Sequence, residues 1–224
     1  MDIKKFLHGF GRDILILLVF GGVLVFQTAG DMVVSLKPAI SFEDMLDGAQ
    51  VKAGSHVTGN VVFALDYFAS ETTYTRYNDG SRSGDRKSGN YYLIPTAEGY
   101  IGLKSREADV SALNKLSDET YEYLFSGTEP VTEIFMQGTV KVMEDDLVKY
   151  YREYLQDMDY TDEEIDAMGT PLVIQYVSFG AVRVMFLIGV ALLVLTFVIL
   201  WRRYQKELEG SGLNKVEDLP DRVE

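Results

Sequence analysis

Two uncharged apolar segments near the ends of the chain constrain its architecture more than any other feature. The second runs from Val184 to Trp201, 18 residues without a charged side chain. At a rise of about 1.5 Å per residue, such a helix is about 27 Å long, close to the ~30 Å hydrocarbon core of a bilayer. The first runs from Ile14 to Gly30, 17 residues, which is the short end of the spanning range. The sequence therefore predicts two transmembrane helices.

The first apolar segment has an alternative interpretation. Its continuous apolar run ends at Phe26, and the small residues Thr28, Ala29 and Gly30 follow, as at the cleavage site of a signal peptide. We favour a retained anchor, with a cleaved signal peptide as the alternative. Within this segment, Gly21-Gly22 would allow a second helix to pack closely.

Basic residues near the outer ends of both segments predict the orientation of the chain. The positive-inside rule places such flanks in the cytoplasm. We therefore expect a plasma-membrane protein whose two termini are cytoplasmic and whose central domain is extracytoplasmic. The residues expected to anchor the spans at the membrane interfaces are Lys4, Lys5, Arg12, Arg183, Trp201, Arg202 and Arg203. The predicted segments are 1–13 (cytoplasmic), 14–34 (first span), 35–177 (extracytoplasmic domain), 178–201 (second span) and 202–224 (cytoplasmic tail).

The central region is strongly acidic and limits the possible partners. Residues 31–182 contain 12 Lys/Arg and 26 Asp/Glu, a net charge of 12 − 26 = −14. A domain with this charge repels phosphate backbones, so no nucleic-acid partner is expected. The chain has no cysteine, which excludes disulfides and thiolate zinc sites. Its two histidines, His8 and His56, are predicted to lie on opposite sides of the first span, so they cannot share a metal ion.

The pattern of the central region predicts an α+β domain. Helix starts are indicated at Ser41, with Asp44 reaching back, and at Thr161, where Thr161-Asp-Glu-Glu164 reads as a capping box. A stripe of apolar side chains predicts a helix over 144–158. Several short strands with internal glycines predict a curved sheet or an OB-like barrel with added helices. The remaining predicted elements are a strand over 56–68, a strand over 71–77, a mobile loop over 78–89, a hairpin over 90–104, helices over 107–125 broken near Ser117, and strands over 133–143 and 172–177.

The motifs that carry catalytic chemistry do not occur in the sequence. No nucleophile elbow, phosphate-binding loop or dinucleotide fingerprint is found. The run that begins at Asp157 and Asp159 starts like an EF-hand loop, but Asp162 stands where glycine is required and Met168 where glutamate is required. A membrane-anchored hydrolase that uses paired carboxylates stays open as an alternative. We expect no enzyme activity and no cofactor.

Tyrosine and arginine side chains concentrate in the strand region and suggest an interaction surface. These two residue types are enriched in protein interfaces. The alternative is that the tyrosines are ordinary half-buried strand residues and that the basic residues belong to a solvated loop. The surface consists of Tyr74, Arg76, Tyr77, Arg82, Arg86, Tyr91 and Tyr92.

The order of these features resembles a family of uncharacterised two-span bacterial membrane proteins of the kind found in Gram-positive anaerobes. The resemblance rests on GSHVTGNVVFALDYF, on the hairpin NYYLIPTAEGYIGLKS and on LVIQYVSFGAVRVMFLIGV at the entry to the second span. The architecture is also similar to the membrane-adjacent domain of a mitochondrial two-span ubiquitin ligase. Ligase activity is not implied, because that family ends in a cysteine-rich RING. The resemblance implies a membrane-tethered β-rich domain and transfers no functional residue.

These observations predict an integral membrane protein whose outer domain binds another protein or senses an envelope component. The expected partners are the lipid bilayer and a protein. Besides the hydrolase, the alternative is an accessory subunit of a membrane complex, whose spans pack against other helices.

Overall fold

The computed structural model describes residues 11–213. The predicted anchors Lys4 and Lys5 lie outside the described residues. The chain divides into two compact units, one formed by Val33–Phe179 and the other by the segments on either side of it. In chain order the elements are α1 (Arg12–Val34), β1 (Ala39–Ile40), α2 (Phe42–Leu46), β2 (His56–Asn60), β3 (Tyr67–Thr73), β4 (Arg86–Thr96), β5 (Gly99–Lys104), a 3-10 turn (Glu107–Asp109), α3 (Val110–Ser126), β6 (Phe135–Val142), α4 (Asp145–Asp157), α5 (Asp162–Ala167), β7 (Leu172–Tyr176) and α6 (Phe179–Leu213).

The helices α1 and α6 are long and apolar enough to cross a membrane. They contain 23 and 35 residues, and the candidate span within α6 is Phe179–Lys206. In the most apolar 18-residue stretch of each helix only 17% is buried, so most of its apolar side chains are not covered by other parts of the chain. Phe26 is an example, with 86% of its surface exposed. Each helix begins at or near the residue predicted, and α6 continues well past the predicted end of the second span.

The seven strands of the domain form one open sheet. Their order is β1-β2-β6-β7-β5-β4-β3. The β1–β2 and β5–β7 pairs are parallel, and the other four pairs are antiparallel. The short strand β1 and the seven-residue strand β3 are the edges of this sheet. The α+β class is confirmed, but the pairing is that of an open sheet, and an OB-like barrel is not confirmed.

Alternate residues of the central strands enter two separate apolar cores, one on each face of the sheet. In β4, Tyr92 and Ile94 belong to the first core, together with Leu113 and Leu116 of α3. Leu93 belongs to the second core, which is covered by α4 and α5. Because successive side chains of a strand point to opposite faces, a strand covered on both sides is apolar at nearly every position.

Several local sequence signals correspond to observed elements. The Ser41 side chain accepts from the Asp44 amide while the Asp44 carboxylate accepts from the Ser41 amide, which is the capping box expected for α2. Thr161 and Glu164 form the same reciprocal pair at the start of α5. The predicted hairpin is formed by β4 and β5 and turns at residues 97–98.

Several predictions of local structure were wrong. The strand expected over 71–77 ends at Thr73, and residues 86–89 of the expected loop belong to β4. The strand expected over 56–68 is two strands, since residues 61–66 leave the sheet between β2 and β3. The helix break expected near Ser117 is absent from the continuous α3. The Ser117 side chain is buried and donates to the Asp66 carboxylate at 3.0 Å, so it holds the 61–66 connection against the helix instead of capping a new helix.

Candidate functional site

Five of the seven predicted interaction residues lie in or beside the connection between β3 and β4. This connection, residues 74–85, folds back on itself through a bridge between Arg76 and Arg82. Tyr74 and Tyr77 are each about half exposed, and the Arg82 guanidinium carbon lies 5.0 Å from the centre of the Tyr74 ring. We call residues 74–85 the tyrosine–arginine hairpin. Backbone hydrogen bonds close it into a hairpin, and the mobility predicted for residues 78–89 stays a prediction.

Two arginines in and beside the hairpin form loose, exposed ion pairs with carboxylates. Arg82 lies 3.8 Å from Asp85, and Arg86 lies 3.9 Å from Glu107, with all four side chains more than half exposed. Exposed pairs of this kind contribute about 0–1 kcal/mol, so these pairs leave the arginines available to a partner.

Tyr92 is not part of this surface, and its assignment there is corrected. The residue is fully buried between the sheet and α3. Its hydroxyl donates to the amide oxygen of Asn114 at 2.5 Å and lies 3.2 Å from the carbonyl oxygen of Val110. Burial raises the pKa of the Tyr92 hydroxyl. Tyr92 is therefore a core residue that ties β4 to α3.

Tyr91, the neighbour of Tyr92, points to the opposite face of β4 and is half-buried. The Lys104 ammonium lies 5.6 Å from the centre of its ring and 2.8 Å from the Glu71 carboxylate. Glu71 also accepts from Ser88 at 2.7 Å. The bond from Lys104 is the main cause that lowers the pKa of Glu71. This group links β3, β4 and β5 and is a stabilising cluster.

The predicted membrane anchors within the described residues lie at exposed positions. Arg12, Arg183, Trp201, Arg202 and Arg203 are all exposed. The Trp201 ring lies 6.3 Å from Phe197 on one side and 6.3 Å from Tyr204 on the other, which gives α6 a short run of aromatic side chains.

A second candidate surface, which the sequence did not indicate, lies beside the C-terminal half of α3. It contains a hollow of about 260 Å³. Because its lining is almost entirely apolar and includes four aromatic rings, we call it the aromatic hollow. Its walls include Phe63, Leu65, Tyr100, Tyr121, Tyr123 and Leu124.

Exposed apolar side chains continue from the aromatic hollow onto the end of α3. Leu124 is 64% exposed, and its neighbour Phe125 is 90% exposed. The sequence predicted helical structure up to residue 125 but not that the last turn of α3 extends past the elements that cover it. Phe125 and Leu124 thus form an uncovered apolar surface on an acidic domain.

Wherever the pKa of a described carboxyl group in the domain is perturbed, it is lowered, which favours the charged form. Hydrogen bonds lower the pKa of Asp44, Asp79, Asp162 and Glu164. Among residues 11–213, no group of three or more His, Asp or Glu side chains is arranged to hold a metal ion. In the run tested against the calcium motif, Asp162 instead accepts from Arg152 at 2.8 Å.

His56, the one histidine within residues 11–213, lies at the start of β2. Its ring packs edge-on against Phe179 at 4.3 Å, and its Nδ1 is 3.2 Å from the carbonyl oxygen of Lys37. These contacts are those of a packed strand-end residue. His8 lies outside the described part of the chain.

Comparison with known proteins identifies one family. The model described as "Domain of unknown function (DUF8577)" matches residues 4–202. No curated protein and no solved structure matches the chain.

Proposed function

Because the chain belongs to the family described as Domain of unknown function (DUF8577), we propose a function from its own features: it is a two-span membrane protein whose outer domain binds another protein. We further propose that both termini are cytoplasmic and that the domain lies outside the plasma membrane. The expected resemblance to an uncharacterised family is confirmed by the family match.

The exposed apolar surfaces of α1 and α6 support the membrane assignment. Apolar surface exposed to water costs about 25 cal/mol per Å², so a helix pair with this much uncovered apolar surface favours an apolar environment. The basic residues Arg12, Arg202 and Arg203 support cytoplasmic termini.

The observation that carries the binding function is the uncovered apolar surface of Phe125 and Leu124 beside the aromatic hollow. Exposed apolar patches next to a concave aromatic surface mark protein interfaces. The tyrosine–arginine hairpin supports binding at a second place on the domain. The perturbed carboxylates give no support to a hydrolase, because a general acid needs a raised pKa.

Cysteine labelling tests the proposed topology, since the natural chain has no cysteine. In intact cells, a membrane-impermeant maleimide should label Asp79→Cys and should label Lys206→Cys only after permeabilisation. Labelling in the reverse order would refute the proposed orientation.

Site-directed photo-crosslinking tests the binding function. A photoreactive phenylalanine analogue at position 125, in the full chain and in membranes of the organism that encodes it, should give an adduct with a second protein. The same analogue at Tyr150, which is 54% exposed on α4, is the matched control and should not. No adduct at 125, or equal adducts at both positions, would contradict the proposal.

An accessory subunit of a membrane complex is the second candidate. It is favoured by the largely exposed apolar sides of α1 and α6, which other helices could cover in place of lipid. Photoreactive residues at Phe26 and Phe197 would separate the two, because a subunit gives protein adducts there and a lipid-exposed pair does not.

A further inference from the structure

Two hollows lie next to each other beside α3, and one pair of aromatic rings belongs to both. The rings of Phe63 and Tyr123 form a tilted pair, with centroids 5.0 Å apart and planes inclined by 32°. On one side is the aromatic hollow, and on the other is a second hollow of about 290 Å³. Glu129 and Glu133 line the second hollow, which we call the acidic hollow.

The two carboxylates of the acidic hollow are available to an external cation. Glu129 and Glu133 are both exposed, and neither forms an ion pair within the part of the chain that the structure describes. The Glu119 carboxylate of α3, by contrast, is occupied. It accepts from the backbone amides of Val131 and Thr132 at 2.9 and 2.8 Å.

These internal bonds give the surface a fixed shape. Gly127 ends α3 in the left-handed region, with φ of 75°, and its amide donates to the carbonyl oxygen of Tyr123 at 2.8 Å. The Glu119 bonds then hold the segment that follows the turn against the helix. A surface that is ordered before binding loses little conformational entropy when a partner docks.

Resting on the proposed binding function, we infer that this pair of hollows binds a peptide segment of a partner protein that carries a bulky apolar side chain and, a few residues away, a lysine or arginine. The apolar side chain enters the aromatic hollow beside Leu124. The cation enters the acidic hollow and meets Glu129 and Glu133. The Phe63–Tyr123 rings lie under the peptide between the two side chains.

Charge and size select this occupant over others. An anionic lipid headgroup or a nucleic acid would meet two uncompensated carboxylates. The two hollows, of about 260 and 290 Å³, lie on either side of one pair of rings, which suits two side chains that a peptide presents a few residues apart. With the proposed topology, the chain's own tail lies on the other side of the membrane.

A peptide panel tests the inference on the full-length protein in detergent micelles. The probe is a short fluorescein-labelled peptide with two leucines and two arginines among glycines and serines, made with several separations between the two types. Two sets of control peptides are used: one has glutamine in place of arginine, and the other has serine in place of leucine. Fluorescence anisotropy measures the Kd for each.

The inference predicts a specific coupling between protein and peptide. Binding of the parent peptide should weaken about three- to tenfold with E129Q/E133Q, as expected for two exposed ion pairs. The glutamine peptide should be insensitive to that change. The matched control is E98Q/E153Q, which removes two negative charges from exposed positions outside the acidic hollow. It changes the net charge by the same amount as E129Q/E133Q and should leave the Kd within about twofold.

Each other outcome overturns the inference. If no peptide of the panel binds, or if E129Q/E133Q and the control act alike, the recognition of an apolar–basic segment is wrong. The binding function itself would still stand if the crosslink at position 125 forms. An adduct between two copies of the chain would identify a second copy as the occupant and would refute a separate peptide partner.

Discussion

Gly21 and Gly189 face each other where α1 and α6 meet. A Cβ on Gly21 would lie 3.0 Å from the Gly189 carbonyl oxygen, and a Cβ on Gly189 would lie 3.1 Å from the Gly21 carbonyl oxygen. Contacts this short are tighter than almost all real Cβ contacts, so a side chain at either position would press on the backbone of the other helix. The two helices therefore pack through glycine, which is the use expected of a small residue between apolar helices.

Gly21→Leu should separate the two helices, because its side chain would meet the backbone of α6. Forced overpacking of this kind costs about 1–3 kcal/mol. Cysteines placed at Asp13 and Arg203, whose charged side-chain ends meet at 3.1 Å, can be joined by a short bis-maleimide, and the yield of this crosslink measures the pairing. The yield should fall with Gly21→Leu. The adjacent Gly22→Leu is the control, since no atom lies within 4 Å of its Cβ, and an equal loss there would contradict the prediction.

Tyr92→Phe should destabilise the domain by about 1–2 kcal/mol, because the Asn114 amide oxygen loses a buried donor. Thermal unfolding of the full chain in detergent, followed by circular dichroism, should show a Tm lower by roughly 2–8 °C. Tyr77→Phe removes the hydroxyl of a half-exposed ring and should leave Tm unchanged. If both variants behaved alike, the assignment of Tyr92 to the core network would be wrong.

The stability that Glu71 contributes should disappear on acidification. Lys104 lowers the pKa of Glu71 in the folded state, so the unfolded state takes up its proton first as the pH falls. The contribution is complete above the ordinary glutamate pKa of ~4.3 and is lost as the pH passes below it towards the folded value. Because both side chains are about one-third exposed, we expect about 1 kcal/mol or less at pH 7.

The measurement is the Tm of the natural chain minus that of Glu71→Gln, taken from pH 7 to pH 3. The difference should be positive at pH 7 and should shrink below pH 4. The exposed Glu98→Gln serves as the control for general charge effects. A difference that stays constant over this range would show that the Glu71–Lys104 bond does not depend on the charge of Glu71.

Leu124→Ser should weaken partner binding without weakening the fold. Leu124 is 64% exposed, so its loss removes little internal packing. If it contributes about 1 kcal/mol of apolar burial to the complex, the adduct from the photoreactive residue at 125 should fall about fivefold at subsaturating partner. The Tm should not change. Val142→Ser, at an exposed position of β6, is the control, and an equal fall there would refute the assignment of the surface.

The sequence predicted the local elements well where one short-range signal dominated. The reciprocal bonds of Ser41 with Asp44 and of Thr161 with Glu164 depend on residues three apart, so the sequence contains all the required information. It did less well where a distant contact decided the outcome. Ser117 is compatible with a helix cap, and only the approach of Asp66 makes it a buried residue of a continuous helix.

The same distinction explains the candidate surfaces. The tyrosine–arginine hairpin could be proposed from composition, but whether Tyr91 and Tyr92 belong to it depends on how many faces of β4 are covered. The aromatic and acidic hollows combine residues from the 61–66 connection, α3 and the segment after Gly127. No spacing in the sequence indicates that the rings of Phe63 and Tyr123 contact each other.

The amino-acid sequence by itself determined the two apolar helices, the acidity of the region between them and the α+β class. These follow from side-chain hydropathy, charge and periodicity, which are properties of neighbouring residues. Tertiary structure alone decided the strand order, the burial of Tyr92 and the place where α3 is left uncovered. Those depend on which distant segments exclude water from each other, and solvent exclusion is a property of the assembled fold.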